Sequence, residues 1–71
     1  MTFTAVIHKE EDAYVALCPE LDIASQGQTI QEARQNLQEA IELFLECADP
    51  AEIQGRLHEE QYVSSFEVAV G

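Results

Sequence analysis

A chain of 71 residues makes one domain with a thin core, since a chain this small buries only about 60% of the surface its unfolded form exposes. Fourteen acids against three bases give a net charge of −11. That excludes a monomer that grips nucleic acid directly, because phosphate contacts need Lys and Arg, and it suits a positively charged protein partner as well as plain solubility.

The chain opens on Met1-Thr2-Phe3-Thr4, with no basic segment or apolar run of signal-peptide type. No apolar run reaches the ~18 residues of a membrane span. A cytoplasmic protein with reduced thiols is therefore expected. From Thr2 to Lys9 the residues alternate, with Phe3, Ala5 and Ile7 on one face and Thr4, Val6 and His8 on the other, the period of a half-buried strand. Glu10-Glu11-Asp12 is a polar break of hairpin length. Ala13 to Cys18 is a second strand, with Tyr14, Ala16 and Cys18 on one face and Val15 and Leu17 on the other. Pro19 ends it by removing a ladder donor. Ile23 to Ser25 reads as a weak third strand, and Gly27 as a turn needing positive φ.

Thr29-Ile30-Gln31-Glu32 is a capping box: the Thr29 hydroxyl accepts from the N–H of Glu32, and the Glu32 carboxylate reaches back to the N–H of Thr29. Ile30, Ala33, Leu37, Ala40, Ile41 and Phe44 follow at helical spacing. They predict a helix from Ile30 to about Cys47, with these residues in the core and Leu43 and Leu45 flanking them. Asp49-Pro50 stops that helix and starts a short one to about His58, weakened by Gly55. Tyr62 to Val70 alternates again, with Phe66, Val68 and Val70 on one face. It predicts a last strand, paired within its own sheet or added to a neighbouring molecule's. The fold class is α+β in the order β-β-β-α-(α)-β, a mainly antiparallel sheet packed on one long helix. Val6, Val15 and Leu17 make the other sheet face partly apolar, which points to a partner or to self-association.

No catalytic constellation stands out. Asp12, Glu20 and Asp22 lie near strand ends, but among fourteen acids such proximity arises by chance, so no metal site is assigned. His8 and His58 lack a nearby nucleophile. Cys18 lacks the cationic neighbours that lower a thiol pKa, so it reads as a small core residue. Cys18 and Cys47 have no zinc-ligand spacing. No enzyme activity and no cofactor are expected.

The stretches Ala13-Tyr14-Val15-Ala16-Leu17-Cys18-Pro19-Glu20-Leu21, Gly27-Gln28-Thr29-Ile30-Gln31-Glu32-Ala33 and Leu37-Gln38-Glu39-Ala40-Ile41-Glu42-Leu43-Phe44-Leu45-Glu46 together resemble the HicB-like antitoxin family of type II toxin–antitoxin pairs. The resemblance implies a single HicB-like domain over residues 1–71, with a partial RNase H-like fold lacking the catalytic carboxylates. It implies a partner, a small basic HicA-like toxin that cleaves mRNA, which the antitoxin inhibits by covering its active face. Many such antitoxins continue into a helix-turn-helix or ribbon-helix-helix domain. Nothing in residues 1–71 reads as one, so direct operator binding is not expected. Leu21-Asp22-Ile23 lacks the Pro-Gly turn common in the family, so that loop is expected to differ.

The expected contact surface is the acidic helix face, Glu39, Glu42 and Glu46, together with the strand face carrying Val15 and Leu17. A homo-oligomer, dimer or tetramer, is expected with it. The alternative is a self-associating α/β domain that binds a small ligand or an unrelated regulator.

Overall fold

The structure is a computed structural model that describes residues 2–58 and 60–70. Three antiparallel strands, β1 (Val6–Glu10), β2 (Ala13–Cys18) and β3 (Ile23–Gly27), form one sheet in the order β1-β2-β3. Two helices follow, α1 (Ile30–Cys47) and α2 (Pro50–Arg56). The β1–β2 turn is the pair Glu11-Asp12, because Glu10 faces Ala13. Glu11 takes the left-handed region at φ 55, as does Asp22 between β2 and β3. Asp is among the side chains that tolerate that conformation best, and Glu is not.

The register sorts the sheet into two faces. Ile7, Ala16 and Ser25 form one cross-strand row, and Cys18 pairs with Ile23. These face α1. On the reverse, Val6, Leu17 and Ala24 form a row beside His8, Val15 and Gln26. The core is small: Ala16, Cys18 and Leu21 from the sheet side, and Ala33, Leu37 and Ile41 from α1. Phe3, Ile7, Tyr14, Ile23, Phe44, Leu45 and Leu57 pack around it. Helix α1 lies chiefly over β3 and β2 and barely reaches β1.

The caps form much as the sequence dictates. Thr29 Oγ1 accepts from Glu32 N at 3.0 Å. The Glu32 carboxylate reaches one residue further back than expected and accepts from Gln28 N at 3.1 Å. Asp49 Oδ1 accepts from Glu52 N at 2.9 Å, with Pro50 opening α2. Helix α2 is tied to the core by Arg56, whose guanidinium sits 5.6 Å from the Phe44 ring centroid and donates to the carbonyls of Leu21 (3.3 Å) and Asp22 (3.2 Å).

Three expectations are corrected. Gly27 has no positive φ. It is the last residue of β3, and a Cβ there would lie 2.6 Å from Ala33 N and 2.8 Å from Glu32 C. Glycine is needed for close approach of strand to helix, not for a turn. Ile30 is 55% exposed, because the contact of the first turn of α1 with β3 is made by Glu32 and the fully buried Ala33 beside Gly27 and not by Ile30. The strand predicted over Tyr62–Val70 does not form in the single chain. Residues 60–70 carry no regular structure and are exposed throughout. A strand needs a neighbour for its N–H and C=O groups, and this segment leaves the domain without meeting one.

Candidate partner-binding surface

On α1 successive residues turn by about 100°, so Glu39, Glu42 and Glu46 fall within about 60° of one another. All three are exposed. Their polar contacts are glutamines one turn back: Gln35 Nε2 to Glu39 Oε1 at 3.4 Å and Gln38 Nε2 to Glu42 Oε1 at 3.1 Å. No base stands in the last turn of α1, where Glu46 sits at the negative end of the helix dipole. The stripe is thus a run of like charge that the fold leaves uncompensated.

Of the three bases, two are held by aromatic rings. Lys9 Nζ lies 6.0 Å from the Tyr14 ring centroid, and Arg56 is bound over Phe44. Arg34 has no ion-pair partner among the described residues and lies on the flank of α1, beside an open groove of about 490 Å³ between the helix and the segment leading into β1. Phe3, Ala5, Leu37, Ile41 and Leu45 supply its apolar lining. The bases therefore form no phosphate-binding patch.

Val15 and Leu17 lie on the reverse face of the sheet, half-buried and exposed respectively. Val6 and Leu17 sit directly across from each other there, 43% and 38% exposed. The two halves of the expected surface thus stand on opposite layers of the molecule. A small partner covering one face meets Glu39, Glu42 and Glu46, or it meets Val15 and Leu17.

The acids considered for metal chemistry do not converge. Asp12 is in the β1–β2 turn, Asp22 Oδ2 lies 2.7 Å from His58 Nε2, and Glu20 is turned toward Thr4. His8 Nε2 lies 3.4 Å from Glu10 Oε2 on the strand surface. Among the described residues no three His, Cys, Asp or Glu side chains are grouped as metal ligands.

In the sequence Glu20 is one acid among many; in the fold it is a hub. Its carboxylate accepts from Thr4 N at 3.1 Å to each oxygen, from Thr4 Oγ1 at 2.6 Å and from Cys18 Sγ at 3.4 Å. Its carbonyl accepts from His58 N at 2.9 Å. One residue thereby fastens the N-terminal segment, the end of β2 and the segment after α2. No local pattern announces such a role, because Thr4 and His58 are far from Glu20 along the chain.

Burial opposes ionisation of Glu20, but the Thr4 hydroxyl and N–H bonds outweigh it and hold the carboxyl below its ordinary value. A lowered folded-state pKa means a contribution present above the unfolded value of 4.5 and lost as pH falls through the lowered one. Glu20→Gln is therefore expected to cost about 1 kcal/mol at pH 7, after solvent screening. That difference should shrink as urea unfolding is repeated at decreasing pH below 4.5. A pH-independent difference would show that the charge is irrelevant.

Burial pushes the Cys18 thiol up, with the Glu20 carboxylate adding to the rise against an opposing backbone hydrogen bond from Leu21. Cys18 is fully buried and Cys47 exposed. Ellman's reagent should thus titrate one thiol rapidly in the native protein and two after denaturation. Two rapid thiols in the native protein would contradict the packing of Cys18.

No helix among the described residues is long and apolar enough to cross a membrane. No family model matches the chain, and no solved structure matches it. Two relatives carry the similarity. A UPF0150 protein of Helicobacter pylori is 36% identical over 70 residues, covering 97% of each chain. A UPF0150 protein of Synechocystis is 50% identical over 46 residues, covering 62% of this chain and 58% of its own. An alignment running through all three strands, both helices and the C-terminal segment places the chain in a family: it belongs to the UPF0150 proteins.

Proposed function

We propose that this UPF0150 chain is a HicB-like antitoxin, without catalytic activity of its own, that binds and occludes a small basic HicA-like toxin. The observation that carries the reading is the uncompensated acidic stripe Glu39-Glu42-Glu46 on an 18-residue helix. Each of its carboxylates is exposed and free of a basic partner among the described residues. A basic RNase presents the complementary charge, and such surfaces speed encounter and fix orientation. The resemblance of roughly residues 3–46 to HicB-like antitoxins supports the same reading. Glu39, Glu42 and Glu46 are the contact residues; Val15 and Leu17 lie on the other layer and belong to a second contact. The chain acts on the toxin rather than on RNA or DNA, since its bases are few and mostly engaged. The test is RNA cleavage by a HicA-like toxin from the same genome, with and without an equimolar amount of the chain. Cleavage should stop near one chain per toxin at low salt and partly recover as salt is raised. Undiminished cleavage at low salt would overturn the reading.

A further inference from the structure

The sheet has two edges, and they differ. At β3, Asn36 Nδ2 of α1 donates to the Gln26 carbonyl at 2.8 Å, and the helix lies over the strand. At β1, every second residue turns its N–H and C=O away from β2, as on any edge strand. Among the described residues no backbone hydrogen bond outside the sheet reaches Val6–Glu10. Beside Phe3–Ala5, the segment leading into that edge, runs the groove floored by Leu37 and Ile41, open because α1 is set off-centre toward β3. The domain therefore has a vacant strand position: free ladder groups on one side and an apolar floor below.

The chain also carries a strand with no position. Tyr62–Val70 alternates, and its Phe66, Val68 and Val70 side chains are 84%, 69% and 96% exposed. Nine residues span about 30 Å when extended, enough to run along Phe3–Glu10. The segment is led away from its own domain. His58 N is bound to the Glu20 carbonyl and Gln61 Nε2 to the Pro19 carbonyl at 2.6 Å. Between Gln61 and Val70 there is no Gly, Pro, Asn or Asp to reverse it onto its own β1, and of the turn-forming residues only the weaker Ser64 and Ser65 are present.

We propose that Tyr62–Val70 is the fourth strand of a second copy's sheet. Two chains pair by each laying this segment along the free β1 edge of the other, with Phe66, Val68 and Val70 seated in the groove between α1 and the Phe3–Ala5 segment that leads into β1. Such an exchange is two-fold symmetric and closed, pairs the exposed edge strand and enlarges a core that is thin for a lone domain. The groove shares Glu42 with the acidic stripe, but the pairing rests on the β1 edge and the Phe66-Val68-Val70 face and stands whether or not the partner at the stripe is a toxin.

Sedimentation equilibrium of the full chain and of Phe66→Glu/Val68→Glu tests this, with hydrogen exchange of the β1 amides read on both. Neither substituted residue touches the core, so the variant keeps the native far-UV circular dichroism of α1. The natural chain should sediment at about twice its 7.9 kDa, with outward β1 amides protected. The variant should dissociate at least about 100-fold more readily, with those amides exchanging freely. A monomeric natural chain, whether its tail amides are protected or free, would overturn the proposal. So would a dimer that the double substitution leaves unchanged.

Discussion

Gly27→Ala is expected to cost about 2–3 kcal/mol of stability, a large part of what a domain of this size possesses. The methyl group would be placed 2.6 Å from Ala33 N, 2.8 Å from Glu32 C and 2.9 Å from Glu32 Cβ. Two of these are backbone atoms in the first turn of α1, which is fixed by the Thr29 and Glu32 caps and cannot swing aside as a side-chain tip can. Relief requires α1 to move off β3, and that loosens Ala33 and Leu37 in the core. Thermal unfolding should show a fall in Tm of roughly 10–20 °C. Gly55→Ala is the control of opposite sign. Gly55 lies in α2, and a methyl group added there would meet nothing within 4 Å, so alanine should add about 0.5–1 kcal/mol through helix propensity. Equal melting of Gly27→Ala and the natural chain would mean that strand and helix are not in such contact.

Glu42→Lys should separate stability from binding. In the free chain it replaces repulsion with Glu39 one turn before and Glu46 one turn after by attraction, at the i−3 and i+4 positions. Each such pair is worth about 0.2–0.5 kcal/mol. The folded chain should gain about 0.5 kcal/mol even after losing the Gln38 contact at 3.1 Å. Binding to a HicA-like toxin should nevertheless weaken about 10- to 100-fold at low salt, mostly in the association rate, and the salt dependence should flatten. A stability gain with unchanged affinity would remove the stripe from the interface. A loss of both would mean that Glu42 is a structural residue.

Much of the scaffold is legible in the sequence because its signals are short-range. The alternation of Ala13–Cys18, the Thr29 and Asp49 caps and the apolar period of α1 each act within a few residues. The helix accordingly spans Ile30–Cys47 and the strands follow in the expected order. The acidic stripe is legible for the same reason, since helical spacing alone puts Glu39, Glu42 and Glu46 on one face. Placement of one element on another is not legible. Whether Gly27 serves a turn or a close packing depends on where α1 lands, and the residues touching it are Glu32 and Ala33.

The sequence by itself determined the elements, their caps and the charge, since backbone preference and side-chain periodicity are local properties. Only the tertiary structure decided the register that sets Leu17 opposite Val6 and Val15 opposite His8, on the face that the alternation of β2 already turned away from the helix. It also decided that Glu20 joins Thr4, Cys18 and His58, and that α1 sits toward β3. An off-centre helix leaves β1 with an open edge and a groove beside the segment leading into it, while Tyr62–Val70 follows the Pro19-Glu20 corner exposed and without regular structure. A strand is completed by its neighbour, and for this segment the neighbour is not supplied by the single chain.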